Sequence, residues 1–406
     1  MSKLGINLGW YKHSTIEFSE YIDECLKLNI KYVRIVLSSW SINALMDFNK
    51  IKELCYVLDL CDKNNIAVHL VLMNFADFKD NVYNDTNNDK YSWKYNKYHK
   101  KNKLDKKMFF KHFDSNLKSD IDNLFQSILK YDNIKKIEIM NEVDQLEINE
   151  KIIFSWINEI VFFLKMKYPN YEYIVSVSNY LKFKKYKKNI LCNVDLHMYS
   201  FPYDYMSLNM IKVDTRFVGE YAKYSDRPNI EALNSRIYFA SGLWLSSLLN
   251  YEITPLHWWW NEVIFSKDYQ DIIKNFNLNK FSLNSVEHEL INMNCIDDKI
   301  DRHEMKKVFV RLSSLFLHPG RIFDEYNNIK KYIRKKIFSR NKFIYFKKEE
   351  IFFIETYSTI DISNLCLSKC LCVYDVINKI KLSEHKILSP GLYIVGDVEN
   401  EIFSRL

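Results

Sequence analysis

The sequence predicts a (β/α)8 TIM barrel followed by a small C-terminal antiparallel β domain, and three observations carry that prediction. Eight short runs rich in Val, Ile, Leu and Tyr recur between residues 5 and 263. Helical periods fall between most of them, the signature of parallel strands joined by crossover helices. No Gly-rich phosphate loop follows the first run, where Gly5 and Gly9 come too early and too isolated, which disfavours an open doubly wound sheet.

The runs justify themselves in order. GINLGW (5–10) is followed by EFSEYIDECLKLN, whose apolar residues recur three and four apart as on one helix face. YVRIVLSSW (32–40) precedes the helical period NKIKELCYVLDLCDKNN, and AVHLVLMNF (67–75) is the third strand. LKSDIDNLFQSILKY leads as a helix into the fourth strand, IEIMNE (137–142). YIVSVSNY (173–180) and VDLHMYS (194–200) are the fifth and sixth, each followed by a connection so short that only one or two helical turns are expected in it. RFVGEYA (216–222) and PLHWWWNEV (255–263) complete the eight.

A helical hairpin is expected at 284–318. From 341 onward IYFKK, IFFIET, LCVYDVI, KIKLS and GLYIVGD read as strands without helices between them. The expected division is therefore a barrel over 1–335 and a small β-sandwich-like appendage over 341–406. An appendage of that size is marginal alone and is expected to pack on the barrel.

Composition narrows the function. The chain has 406 residues, 48% apolar and 27% charged, with a net charge of +7. No run of ~18 apolar residues is present to cross a bilayer, and no basic-then-apolar leader opens the chain. The expectation is a soluble protein, cytoplasmic as given, or secreted if a leader has been removed, with no membrane partner. The basic residues are mostly Lys and are spread along the chain, which reads as a solvated surface rather than a nucleic-acid footprint. The densest stretch, KYSWKYNKYHKKNKLDKK (90–107), reads as a solvated loop. The eight cysteines, at 25, 55, 61, 192, 295, 366, 370 and 372, lack zinc-site spacing and disulfide-scaffold density, so free thiols are expected. Cys370 and Cys372, two apart, share one strand face as core residues. Nothing sets the oligomeric state.

In such a barrel the strands' C-terminal ends form the working face, and here they are polar. The second strand carries Arg34, the fourth ends in Asn141-Glu142, the sixth offers His197 and Tyr199, the seventh ends in Glu220, and the eighth carries Trp258, Trp259 and Trp260. Two carboxylates across one mouth suit glycosidic bond cleavage, where one group is protonated to help the leaving oxygen and the other is ionised. Asn141 beside the acid can donate to a sugar 2-hydroxyl, and tryptophan faces can stack on a pyranose. Strand alternation puts Trp258 and Trp260 on one face and Trp259 on the other, so at least one belongs to the core. Trp10 and Trp40, just beyond strands, can line a sugar groove; Tyr203 and Tyr205, after the sixth strand, can line the mouth or equally pack at its rim; Trp244 lies in a helical stretch and reads as core. For His197 a packing role stays open beside ligand contact.

VRIV with Arg34, IEIMNE with Asn141-Glu142, HMY with His197 and Tyr199, FVGE with Glu220 and the Trp-rich HWWWNE together resemble the clan A glycoside hydrolases, the retaining group that includes the family 5 cellulases and mannanases. The resemblance covers residues 4 to about 265. It implies that Glu142 is the acid/base, Glu220 the nucleophile, Arg34 and Tyr199 the residues orienting Glu220, and Trp258 or Trp260 the platform under the sugar. Family 5 members usually place a His at the end of the third strand. Here that strand ends in Asn74-Phe75, and His69, near its start, reads as structural.

The expected function is thus a retaining β-glycoside hydrolase acting on an oligo- or polysaccharide without cofactor or metal. The alternative is a non-catalytic carbohydrate-binding barrel. Metal catalysis lacks a His-x-His on the first strand, and His257 should point away from Trp258; Ser-His-Asp chemistry lacks a nucleophile elbow. The long 76–112 connection is expected to shape the groove, and its Lys and His residues suit an acidic polysaccharide.

Overall fold

Six of the expected strands form one parallel sheet in chain order: β1 (Gly5–Leu8), β2 (Tyr32–Val36), β3 (Ala67–Val71), β4 (Ile134–Glu138), β5 (Glu172–Val177) and β6 (Asn193–Leu196). The structure is a computed structural model. It describes residues 2–8, 15–36, 48–80, 83–84, 90–96, 98–99, 105–199, 217–222, 233–248, 251–258, 260–278, 343–348, 351–356, 360–361, 371–383, 387–389 and 391–397. By its contacts the chain divides into two compact units. The first comprises Met1–Pro202, Val213–Pro228 and Gly242–Ser282; the second comprises Tyr203–Lys212, Asn229–Ser241 and Leu283–Leu406. The expected hairpin at 284–318 and the expected boundary between 335 and 341 lie outside the described residues.

In the first unit the sheet closes on itself. Just past β6, Met198–Tyr199 pairs parallel with β7 (Tyr221–Ala222). The eighth segment joins β7 through the Tyr221 N–H to Leu256 O (3.0 Å) and joins the start of β1 through the Lys3 N–H to Glu252 O (2.8 Å). Parallel bridges Tyr221–His257 and Lys3–Ile253 complete the ring. A closed ring leaves no sheet edge in need of a partner, as the (β/α)8 barrel requires. The eighth segment departs from expectation at its end. The chain leaves the sheet after His257 and turns into a helix at Trp260, so the strand does not run through to 263.

The helices are α1 (Thr15–Lys27), α2 (Phe48–Lys63), α3 (Lys106–Lys111), α4 (Ser115–Ile128), α5 (Glu150–Lys167), α6 (Tyr180–Asn189), α7 (Leu233–Leu248), α8 (Trp260–Phe265) and α9 (Lys267–Leu278). Two stops share one device. Asn29 (φ 55°) and Asn65 (φ 54°) end α1 and α2 in the left-handed region that Asn tolerates, and Ile30 and Ile66 then donate back to the Cys25 and Cys61 carbonyls at 2.8 and 2.9 Å. Asp114 and Asn149 cap α4 and α5 by accepting backbone N–H groups. Helix α6 is ten residues long, more than the one or two turns expected. The buried Asp144 carboxylate accepts the N–H groups of Ser178 (2.8 Å) and Asn179 (3.0 Å), which lets the helix start directly after β5.

The connection after β3 also differs from expectation. Within 90–107, Trp93 and Tyr98 are buried: Trp93 stacks on Phe78 at 5.9 Å, and the Tyr98 hydroxyl donates to Asp120 at 2.6 Å. Phe110 meets Trp156 of α5 edge-on at 4.7 Å, and Lys106, itself buried, pairs with Asp80 at 2.6 Å. Among the described residues no helix is long and apolar enough to cross a membrane. Cys25, Cys55, Cys61, Cys192 and Cys372 are free thiols; Cys295, Cys366 and Cys370 lie outside the described residues.

The second unit contains an antiparallel sheet of β8 (Phe343–Lys348), β9 (Ile351–Thr356), β10 (Leu371–Asp375), β11 (Ile380–Ser383) and β12 (Gly391–Asp397), in the order β8-β9-β12-β10-β11. Each expected run of this region is therefore a strand. The β10–β11 turn is set by Asp375, whose carboxylate accepts the N–H groups of Ile377 (3.0 Å) and Asn378 (2.9 Å), with Lys379 left-handed at φ 59°.

Candidate active site

Because side chains alternate along a strand, each barrel strand turns every second residue inward. On six strands a buried polar residue stands at such an inward position: Asn7, Arg34, His69, Glu138, Ser176 and Asp195. Arg34 of β2 is fully buried and turns its planar fork to four acceptors: Nε donates to Glu138 Oε2 (2.8 Å), Nη1 to Asn7 Oδ1 (2.9 Å) and Glu220 Oε1 (2.7 Å), and Nη2 to Asn141 Oδ1 (2.8 Å). Asn7 of β1 donates in turn to the carbonyls of Gly219 (2.9 Å) and Leu256 (3.0 Å), tying Arg34 to the closing strands. Glu138 is fully buried at the end of β4. Burial favours its neutral form, but the Arg34 guanidinium outweighs this and holds the carboxyl well below the usual range. Its other oxygen accepts from Ser176 Oγ at 2.6 Å. His69 Nε2 lies 3.0 Å from Glu138 Oε2 but out of line for a good hydrogen bond, and burial lowers His69 to about 4, so the ring is a neutral part of the interior. Nearby, Tyr32, His69 and Phe217 pack ring to ring and fill the barrel.

Arg34 also decides which way Asn141 points. A guanidinium can only donate, so the amide oxygen faces it and the Nδ2 group is turned elsewhere; among the described residues none accepts from it. Glu142 follows in the left-handed region (φ 48°, ψ 50°), its N–H held by Ser176 Oγ at 2.8 Å. That backbone turn, costly for a residue with a side chain, redirects the carboxylate at the point where the strand stops.

Glu220 is gripped at both oxygens, Oε1 by Arg34 and Oε2 by the Tyr199 hydroxyl at 2.6 Å. Burial raises its carboxyl, but the charges of His197 and Arg34 override this and hold it below the ordinary value. Glu142 goes the other way. Burial raises it, His197 opposes, and the neighbouring Glu220 and Asp144 charges add to the rise. His197 stands between them, its Nδ1 3.1 Å from Glu142 Oε1 and 3.2 Å from Glu220 Oε2. Burial disfavours the imidazolium, and the two carboxylates more than reverse that. One oxygen of each glutamate and one nitrogen of His197 all lie within 4.8 Å of one another. The Glu142 side chain is 12% exposed and that of Glu220 3%.

Three ligand-type atoms this close invite a metal reading, but the donor set does not suit a cation. Glu220 is already paired with a guanidinium at 2.7 Å, and the two carboxylates favour His197 as the imidazolium, whose nitrogens have no lone pair to give a metal.

Of the residues picked from sequence, Arg34, Asn141, Glu142, His197, Tyr199 and Glu220 come together in one cluster. His197 is at hydrogen-bonding distance from both carboxylates, at 3.1 and 3.2 Å. Trp258 is half-buried and its backbone N–H donates to Tyr221 O at 3.0 Å. Trp260 opens α8, so the expected alternation of Trp258 and Trp260 on one strand face does not hold. Trp10, Trp40, Tyr203, Tyr205 and Trp259 lie outside the described residues. Trp244 is buried against Phe276 as core. His257 is buried edge-on to Tyr221 at 5.1 Å, and burial lowers it to about 3. Sequence reasoning missed Asn7, Glu138, Ser176 and Asp195. Their common signal was a polar residue at an inward position of an otherwise apolar run.

No family model matches the chain, and no curated protein matches it. Solved structures do. A glycoside hydrolase family 5 protein from Bacteroides vulgatus aligns over 99% of this chain and 90% of that one, at 9% identity and a TM-score of 0.52. A structure described as a glycoside hydrolase aligns over 99% and 94%, at 8% identity and a TM-score of 0.52. An endo-β-1,4-mannanase from Thermotoga petrophila aligns over 98% and 92%, at 13% identity and a TM-score of 0.46. At such identities the likeness is one of fold. The chain has a TIM-barrel fold like that of the clan A, family 5 glycoside hydrolases.

Proposed function

We propose that the protein is a retaining glycoside hydrolase that cleaves β-glycosidic bonds of an oligo- or polysaccharide. The observation that carries this reading is the glutamate pair, which brings one oxygen of each to within 4.8 Å of the other. Retaining enzymes hold their two carboxyl groups about 5–5.5 Å apart, whereas inverting ones leave about 6.5–9.5 Å for a water.

The environments divide the labour. Glu220, kept ionised by Arg34 and Tyr199, attacks the anomeric carbon through a carboxylate oxygen as the bond to the leaving oxygen breaks. Glu142, pushed toward its protonated form by burial and by the Glu220 and Asp144 charges against the pull of His197, gives its proton to that oxygen. In the second half Glu142 takes a proton from water, the water oxygen attacks the anomeric carbon, and the ester to Glu220 breaks. Asn141 Nδ2 donates to the sugar 2-hydroxyl, a bond that strengthens as positive charge builds on the ring. His197 Nδ1–H is within reach of both carboxylates and serves whichever is charged. The residues supply the whole reaction without a cofactor.

A panel of chromogenic β-glycosides tests the reading, with calorimetry of sugar binding alongside. Turnover that Glu220→Ala and Glu142→Gln abolish supports it. Sugar binding without turnover would instead make the protein a carbohydrate-binding barrel.

A further inference from the structure

Asp195 of β6 sits two residues before His197 and is 2% exposed. Its Oδ2 accepts the Gly219 N–H at 2.6 Å and lies 3.8 Å from His197 Nε2. Its Oδ1 has no hydrogen-bond partner among the described residues. The seat is made to measure: a Cβ at residue 219 would stand 2.2 Å from Asp195 Oδ2 and 3.4 Å from His197 Nε2. Gly219 is therefore needed where the carboxylate fits, and its N–H holds that carboxylate behind the imidazole. His197 thus has the two glutamates at Nδ1 and Asp195 at Nε2. The other charged groups acting on this pair are Arg34 on β2 and Glu138 on β4.

A double displacement moves negative charge from Glu220 in the resting enzyme to Glu142 in the glycosyl-enzyme. The 3.1 and 3.2 Å distances let one Nδ1–H answer both states without the ring moving, provided that the ring keeps its charge as its partners change. We propose that Asp195 is a positioning residue, the counter-charge that keeps His197 an imidazolium donor to the glutamate pair through both halves of the reaction. The proposal rests on the hydrolytic reading of the site. Burial resists ionisation of Asp195 and raises it to about 7, the imidazolium being what draws it back toward the charged form.

The test is Asp195→Asn, which keeps the size of the side chain and an oxygen for the Gly219 N–H but removes the charge. His197 is followed by its imidazole 15N shifts against pH in the full-length protein, and turnover is followed on a chromogenic glycoside. The expected result is at least about a tenfold drop in the proton affinity of His197, with about a tenfold loss of kcat and little change in KM. Unchanged titration of His197 overturns the proposal, as does a shifted titration with full kcat. A wild-type protein that hydrolyses no glycoside would refute the proposed function, yet the titration would still show whether Asp195 sets the charge of His197. If the variant does not fold, the wild type decides. The Asp195 carboxyl 13C signal and the His197 signals should share an inflection, because the two groups lie 3.8 Å apart. Independent titrations would overturn the proposal.

Discussion

On the outward side of the barrel strands stand Ile6, Val33, Ile35, Leu70, Ile137 and Val175, buried and apolar; on the inward side stand Asn7, Arg34, His69, Glu138, Ser176 and Asp195, equally buried and polar. The difference lies in what each side asks of its residues. Outward contacts are non-directional, so their stabilisation follows the apolar area removed from water and tolerates a change of shape. Inward contacts are hydrogen bonds and ion pairs of fixed geometry, and losing one member leaves another group charged and unpaired in a dry interior. A single strand thus stabilises the fold with one face and arranges the chemistry with the other.

The sharpest way to separate the faces is at the mouth. Glu220→Ala and Glu142→Gln should each lower turnover by a factor on the order of 10³ or more, while the far-ultraviolet circular dichroism stays that of the wild type. Near-normal turnover in either variant would remove its assigned role. Deeper in, Arg34→Met leaves Glu138 buried without its cation and Glu220 with His197 alone, and should cost about 3–5 kcal/mol in urea unfolding as well as activity. The outward counterpart, Leu70→Ala, should cost about 2–5 kcal/mol by the cavity it leaves, with kcat per folded molecule unchanged. If Leu70→Ala lowered kcat as strongly as Arg34→Met, the two faces would not be separable.

Proton linkage gives a smaller effect with a definite sign. The folded-state pKa of Glu138 is depressed, so its contribution to stability is present above the unfolded value of about 4.3 and is lost as pH falls through the folded value. Glu138→Gln should therefore flatten the acid side of the stability profile by up to about 1.4 kcal/mol per pH unit. An unchanged acid slope would show that Glu138 is not held ionised. Activity should be bell-shaped in pH, with its acid limb below the ordinary glutamate value because Glu220 is lowered, and its alkaline limb above it because Glu142 is raised.

Much of the barrel was legible because its signals are local. Alternating or continuous apolar runs mark the strands, and the helical periods quoted for α1 and α2 end at Asn29 and Asn65, where the structure stops both helices. The strand-end residues could be picked out because a polar side chain after a buried run needs a reason. What escaped depends on partners far apart in the chain. Glu138 reads as one more charge in KKIEIM until Arg34 is seen beside it, and Asp195 has meaning only with Gly219 and His197 in place. The WWW run misled for a different reason. Three tryptophans suit a strand, but the backbone leaves the sheet after His257 and Trp260 begins a helix. In the 90–107 stretch the lysines drew the reading toward solvent, while Trp93, Tyr98 and even Lys106 are buried.

The central claim is that Glu220 takes the sugar onto its own carboxylate before water arrives. The configuration of the newly freed sugar, followed by 1H NMR in the first minutes of hydrolysis of a β-linked oligosaccharide, tests it most directly. The account predicts that the β-anomer accumulates first and then mutarotates. First appearance of the α-anomer would mean a single inverting displacement and would contradict it.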